Sequence, residues 1–522
     1  MTTAGKDSKS PILIGRRQVI IGAAALGISA LTGSGFAFAQ GTPKKGGTLR
    51  LGMDGGSVSD SLDPRTITSM IPVAYCLMFW NNLVEIDAAG NATPELAESW
   101  ESKPGATEWI FNIRKGITFT SGKTLDADDV IYSLNLHRGE SKSPAKTILE
   151  PIKEMKKTSS NQIHITLSSG NADLPYVFSD YHLMIVPAGT TDFSKPDGTG
   201  AYTLVEFSPG TRVVAKRKPG NYWKPGRGNF DTVEIRYIGD SAARTQAFMT
   251  GQVDAVNRLD PKTVGFLTKN SSLKIVRSKA AGPRFAFVAQ TDRDPFKNRD
   301  LMLAMKYGID RNKIVQNVFS GYATVGNDQP ISPRNKYYNP HQIQRPYDPD
   351  KATFHFKKSG FSGPIQLKAS EGAFNGAIDA AVLFQESLKQ AGMSLEVKRV
   401  SGDGYWSNVW LKEPFCAAFW STRPTADLQL SQEFQTGNTW NDTRYANPKL
   451  DQLLMNARVE INEAKRQQMY AECQALVSEE SGMICFAIGD QLDGCSTRLA
   501  GLEPHPRYDM NDNRLAEKGW FL

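Results

Sequence analysis

Residues 364–420 read PIQLKASEGAFNGAIDAAVLFQESLKQAGMSLEVKRVSGDGYWSNVWLKEPFCAAFW. Ile365 to Lys368 reads as a short strand. Ala377, Ala381, Phe384, Leu388 and Ala391 then fall at steps of four, three, four and three, one face of a helix. Gly392 closes that helix as a C-terminal cap, and Met393, Leu395 and Val397 alternate with polar residues as a second strand. Phe415 to Phe419 supplies a third. Strands alternating with a helix predict an α/β fold with a parallel sheet, whose ligands sit beyond the carboxyl ends of the strands. That rule puts the loops 370–375 and 420–423 on one rim.

The third strand closes an aromatic stretch. Tyr405, Trp406, Trp410, Phe415, Phe419 and Trp420 precede Ser421, Thr422, Arg423 and Pro424. Such rings supply rigid contact area with polar edges on Trp and Tyr. Trp406 and Trp420 suit either stacking on a ligand or core packing. Arg423 offers a planar, permanently charged fork for phosphate or carboxylate. The backbone amides near Gly376 and Ala377, at a helix start on the same rim, also favour an anion. Phe374 lies in that loop. Asn375 is placed either to cap the helix or to meet a ligand.

Working outward, 522 residues exceed one ordinary core and predict two or three domains. Hydrophobic residues make up 40 % and charged residues 22 %, as in globular proteins. Of the net charge of +7, +3 lies before Gln40, where Lys6, Lys9, Arg16 and Arg17 stand against Asp7. The remainder contains no basic run, which argues against nucleic acid as a partner. The first 39 residues read as a twin-arginine export signal. Arg16-Arg17 precedes an apolar stretch diluted by Gly and Ala, and Ala37-Phe38-Ala39 is a small-x-small cleavage site. Cleavage near Ala39 predicts a periplasmic protein. The cysteines at 76, 416, 473, 485 and 495 are an odd set and require no disulfide framework, although one pair among the last three is open.

Motifs then run the length of the chain. Gly55 and Gly56 follow a first strand at 48–53, as a turn or as a close approach for a ligand. Asp126 precedes a helix whose first turn carries Asp128 and Asp129, helix-start chemistry rather than a catalytic pair. Asp240 and Asn298 stand before two further helices, and Asn447-Pro448 before a helical tail. Histidines at 137, 164, 182, 341, 355 and 505 lack metal-ligand spacing. No G-x-S-x-G, H-E-x-x-H or phosphate-loop motif appears. The residues therefore indicate no enzyme, no cofactor and no metal.

Several stretches together resemble family 5 of the solute-binding proteins of ABC importers, the dipeptide, oligopeptide and nickel group. They are Asn82-Leu83-Val84-Glu85, Pro94-Glu95-Leu96-Ala97-Glu98-Ser99-Trp100, Phe111-x-Ile113-Arg114-Lys115-Gly116 and Asp128-Asp129-Val130. Gly198-Thr199-Gly200-Ala201-Tyr202, Pro295-Phe296 and Gly308-Ile309-Asp310-Arg311 complete the set. The resemblance implies a two-lobed periplasmic-binding-protein fold (type II, cluster C) with an extra subdomain in lobe I. Lobe I would take residues 40–289, with the subdomain at about 86–190. Lobe II would take 290–484, and 485–522 would return to lobe I. Closure of the lobes would trap the ligand and present it to a membrane permease with its ATPase.

The resemblance also bears on the ligand. Peptide receptors of the family hold a ligand amine with an Asp after a strand-end Trp, where this chain has Arg423. Their carboxylate-binding Arg, before the helix of the βαβ unit, is matched by Glu371-Gly372-Ala373-Phe374. Both departures turn the expectation from a peptide to a small anionic solute, such as an opine or a sugar-phosphate conjugate. The expected ligand-binding set is Arg423, Trp420, Ser421, Thr422, Trp406, Asn375, Phe374, Gly376, Gly55 and Gly56, in a monomer. A short-peptide receptor, a secreted hydrolase and a chaperone-like protein are the competing readings.

Overall fold

The computed structural model describes Thr42–Leu522; the proposed export signal lies outside the described residues. Among those residues no helix is long and apolar enough to cross a membrane.

Three sheets organise the chain. A seven-stranded sheet is ordered Leu273–Ser278, Gln491–Ser496, Ala255–Val256, Thr48–Met53, Thr232–Tyr237, Arg212–Arg217 and Tyr202–Ser208. Its first strand in sequence, Thr48–Met53, lies near the middle, parallel to both neighbours. A six-stranded sheet is ordered Ala323–Val325, Met483–Gly489, Arg284–Ala289, Phe415–Trp420, Ile365–Ala369 and Leu395–Arg399. The third, four-stranded and antiparallel, joins Ala97–Ser102, Glu108–Ile113, Gln162–Leu167 and Ile152–Ser159. Each sheet packs its own apolar core.

The βαβ reading holds where it was made. Ile365–Ala369 pairs in parallel with Leu395–Arg399 and with Phe415–Trp420. The helix Ala377–Lys389 buries Ala377, Ala381, Phe384 and Leu388, and Phe384 stacks on Phe287 at 5.3 Å. Beyond these strands the sheet is mixed, because Arg284–Ala289 runs antiparallel to both of its neighbours. Every residue of Met483–Gly489 is buried, as a central strand covered on both faces requires. The strand ending at Ala289 belongs to the six-stranded sheet, so the chain leaves the seven-stranded sheet between Ser278 and Arg284. It returns after Gly489, where the apolar strand ends.

Local chemistry explains the motifs. Asp126 and Asp129 form a reciprocal capping box at Ala127–Asn135. Asp240, Asn298 and Asn447 each accept a backbone N–H at a helix start. Gly200 N donates to Phe79 O at 2.8 Å, and a Cβ at Gly198 would stand 2.1 Å from the same oxygen. The glycines of the Gly-Thr-Gly motif are therefore needed for close approach to the helix Met70–Phe79. All five cysteines are buried and free, so none of the last three pairs.

Glu85 and Glu95, from two of the motifs, meet Glu517 from the chain's far end. Among the described residues these three carboxylates are close enough to hold a metal, within 4.8 Å of one another. Cations of the chain already occupy the position. Lys224 Nζ lies 3.0, 2.5 and 2.9 Å from Glu85, Glu95 and Glu517. Arg514 pairs with Glu95 at 2.9 Å and with Glu517 at 3.0 Å, while Arg227 and Lys518 reach Glu85 at 2.7 and 2.9 Å.

Candidate functional site

The strand Phe415–Trp420 ends against the segment Ser421-Thr422-Arg423-Pro424, and Thr425 Oγ1 accepts Leu428 N at 3.1 Å to start the helix Ala426–Phe434. This turn delivers Thr422 and Arg423 into a cavity that is partly open to solvent. Ile86 ends the strand Val84–Ile86 and Gly90 lies in the turn to its antiparallel partner Ala92–Pro94, while Asp173, Tyr176 and Ser179 follow the four-stranded sheet. Arg284 opens its strand, residues 330–337 form a loop wall, and Pro506 and Arg507 come from the last segment.

The charge of this lining is one-sided. Arg284, Arg334, Lys336, Arg423 and Arg507 face the cavity with Asp173 as the one lining carboxylate. Four of the six are fixed by pairing. Arg507 donates to both oxygens of Asp512, at 2.7 and 2.5 Å, and to Ser179 Oγ at 3.0 Å. Asp512 holds that position in a run of four left-handed residues, Met510, Asn511, Asp512 and Asn513, with φ between 53° and 63°. Non-glycine residues pay about 1–2 kcal/mol each for that conformation, so the surrounding contacts must over-determine it. Lys336 pairs with Glu463 at 3.0 Å and lies 5.0 Å from the Tyr176 ring centre. Arg284 Nη2 donates to Glu433 Oε1 at 2.6 Å, while its Nε is buried without a partner. Asp173 pairs with Arg466 at 2.7 Å.

Arg423 is held differently. Its Nε donates to an amide oxygen, Gln432 Oε1, at 2.6 Å, and its backbone N–H to Gln429 Oε1 at 2.8 Å. The guanidinium lies 5.6 Å from the Trp420 ring centre and 5.8 Å from that of Trp440. Burial lowers its pKa from the ordinary arginine value; Glu433 opposes the fall and Arg284 adds to it. Behind it, burial pushes Glu433 up to about 7 despite Arg284. Burial likewise pushes Asp442 up to about 6, against the indole N–H groups of Trp410 and Trp420. Arg423 itself makes its side-chain hydrogen bond to an amide oxygen rather than to either of these acids.

The structure separates the sequence-derived set. Thr422 and Arg423 line the cavity together, whereas Ser421, Trp406, Trp420, Phe374, Asn375, Gly376, Gly55 and Gly56 do not. Trp420 is buried and donates to Asp442 Oδ2 at 2.9 Å, so it is a core side chain. Trp406 packs edge-on against Trp410 and Phe419. Phe374 is buried against Phe285. Asn375 is exposed, and Gly376 rather than Asn375 takes the cap position. The anion expected at this helix start comes from the chain itself, since Glu371 accepts Gly376 N at 2.6 Å and Ile378 N at 3.3 Å. Gly55 bonds through its carbonyl to Ile71 N, and Gly56 borders a separate small hollow beside Tyr237. Asp173, Arg284, Arg334, Lys336 and Arg507 also line the cavity, and no local periodicity marks them in the sequence.

The cavity is thus lined by Arg284 and the turn after Phe415–Trp420 from the six-stranded sheet, by the loop after the four-stranded sheet, and by the chain's last segment. Residues 91–445 match the model for bacterial extracellular solute-binding proteins, family 5 Middle. The chain belongs to that family, whose members serve ABC importers. It is 25 % identical to the glutathione-binding protein GsiB of Pectobacterium atrosepticum over 485 residues, 88 % of this chain and 93 % of the relative. The GsiB of Escherichia coli K12 is 24 % identical over 483 residues, with the same coverage. The fold is that of HbpA2 from Haemophilus parasuis, with a TM-score of 0.82 at 18 % identity over 91 % of this chain and 100 % of the other. It is also that of AgaA from A. tumefaciens R10, solved with agropinic acid, with a TM-score of 0.71 at 21 % identity over 91 % and 99 %.

Proposed function

We propose that this solute-binding protein is a periplasmic receptor that captures a small organic anion, an opine or a sugar-phosphate conjugate, and hands it to its importer. The carrying observation is the lining, five cations against one carboxylate, with Arg423 tied to an amide oxygen instead of an acid. Arg423 and Thr422 are the proposed contacts from one wall, and Arg284, Arg334, Lys336 and Arg507 those from the others. Export through Arg16-Arg17 and closure of two lobes, one built on each large sheet, belong to the same reading. The relatives named for glutathione, an acidic tripeptide, favour a second reading in which the anion is a short acidic peptide.

The test is a thermal-shift screen of the mature protein against opines, sugar phosphates, glutathione and neutral dipeptides, since a ligand raises the melting temperature by mass action. Stabilisation by neutral dipeptides alone would sink the anion reading. For the best anion, Arg423→Ala should cost about 2 kcal/mol, roughly thirtyfold in Kd by calorimetry. Unchanged affinity would remove Arg423 from the site.

A further inference from the structure

We infer that Asp173 is a specificity-determining residue that accepts the ammonium group of the ligand, so that the solute is an amino-bearing acid and not a simple anion. The inference rests on the reading of the cavity as the ligand site. Asp173 is 3 % exposed and lines the cavity. Its Oδ1 accepts Arg466 Nη2 at 2.7 Å, and Arg466 does not itself line the cavity. Its Oδ2 is buried without a hydrogen-bond partner. Leaving a buried acceptor unmade costs about 1–3 kcal/mol, more for a charged group, and a bound N–H donor removes that cost.

The carboxylate is held in place from several directions. Asp173 N donates to Asn171 Oδ1 at 2.9 Å, and Ala172 N to Arg458 O at 2.8 Å. Arg466 is locked in turn by Tyr337 Oη at 2.6 Å. One oxygen is thus spent on a fixed guanidinium and the other is left over. The remaining charged lining groups are all cations. A ligand ammonium therefore has a single acidic acceptor in the cavity, while its carboxylates have several donors. The chemistry that fits is a molecule with two or more acidic groups and one protonated nitrogen.

Calorimetric titration with matched pairs tests this: glutathione with N-acetylglutathione, L-glutamate with N-acetyl-L-glutamate, and glucose 6-phosphate as a nitrogen-free anion. The expected result is at least tenfold tighter binding of an amino-bearing member than of its acetylated partner. In Asp173→Asn that ratio should collapse to within twofold, whereas a merely structural loss would weaken both members alike. Equal affinity within the pairs overturns the inference. So does tightest binding of glucose 6-phosphate, which leaves the anion reading standing. Binding of none of the five also overturns it. The matched pairs are measured on the unaltered protein, so the result stands even if the variant fails to fold.

Discussion

Arg514→Met is expected to cost about 3–5 kcal/mol of stability, the range for breaking a buried ion pair from one side. Arg514 is 1 % exposed and meets both oxygens of Glu95, at 2.9 and 3.0 Å, as well as Glu517 at 3.0 Å. Without it those carboxylates depend mainly on Lys224, whose single ammonium is already shared with Glu85. The network ties together segments around 85–95, 224–227 and 514–518, so its loss is felt across sequence-distant parts of one core. The denaturant midpoint is the measurement, and a loss below about 1 kcal/mol would show that the network is dispensable. The same cluster sets the acid limb of stability. Burial alone would raise Glu517, but Lys224, Arg514 and Arg227 outweigh it and hold the carboxyl down at about 2. Its ordinary unfolded value is about 4.3, so the stabilisation is complete above that pH and is lost as pH falls toward 2. The Glu517 contribution, read as the stability difference between the unaltered protein and Glu517→Gln, should stay level from pH 7 to about 5 and fall steeply below about 4. A steady decline beginning near neutrality would contradict this assignment.

Asp328→Ala should be comparably severe, about 3–5 kcal/mol. Asp328 is fully buried, accepts Arg311 Nη2 at 2.8 Å on each oxygen, and pairs with Arg345 at 2.5 Å. Alanine would leave the buried Arg311, the arginine of the Gly-Ile-Asp-Arg motif, without its acid partner and reduce Arg345 to its pair with Glu479 at 2.7 Å. The effect reaches the cavity as well. Asp328 and Arg345 pin the two ends of the segment that carries residues 330–337, a wall of the site. The variant should therefore lose ligand affinity along with stability when both are followed by thermal shift. Preserved affinity at reduced stability would show that the wall is held by other contacts.

What was legible in the sequence was local. The helix Ala377–Lys389 shows itself by spacing, its neighbouring strands by alternation, and Asp126, Asp240, Asn298 and Asn447 by the capping chemistry of one turn. The cavity was only half legible, through Thr422 and Arg423, because strand order predicts which loop reaches a rim. The other lining residues come from Ile86 to Arg507 and converge through long-range packing. Glu371 shows how a local rule can be met from within the chain. The helix start does attract an anion, and a side chain five residues upstream supplies it. Trp420 is a related case. An indole at a strand end looks available until a buried acid such as Asp442 takes its N–H.

The two passages between the large sheets have a mechanical consequence. The chain crosses from the seven-stranded to the six-stranded sheet through residues 279–283 and crosses back through Asp490 alone. Asp490 also fastens the first passage, since its Oδ1 accepts Ala280 N at 2.8 Å and its Oδ2 binds the Arg277 guanidinium. Both covalent threads are thus pinned at one carboxylate. Turning one sheet against the other concentrates torsion there, as on an axle carried by a single bearing.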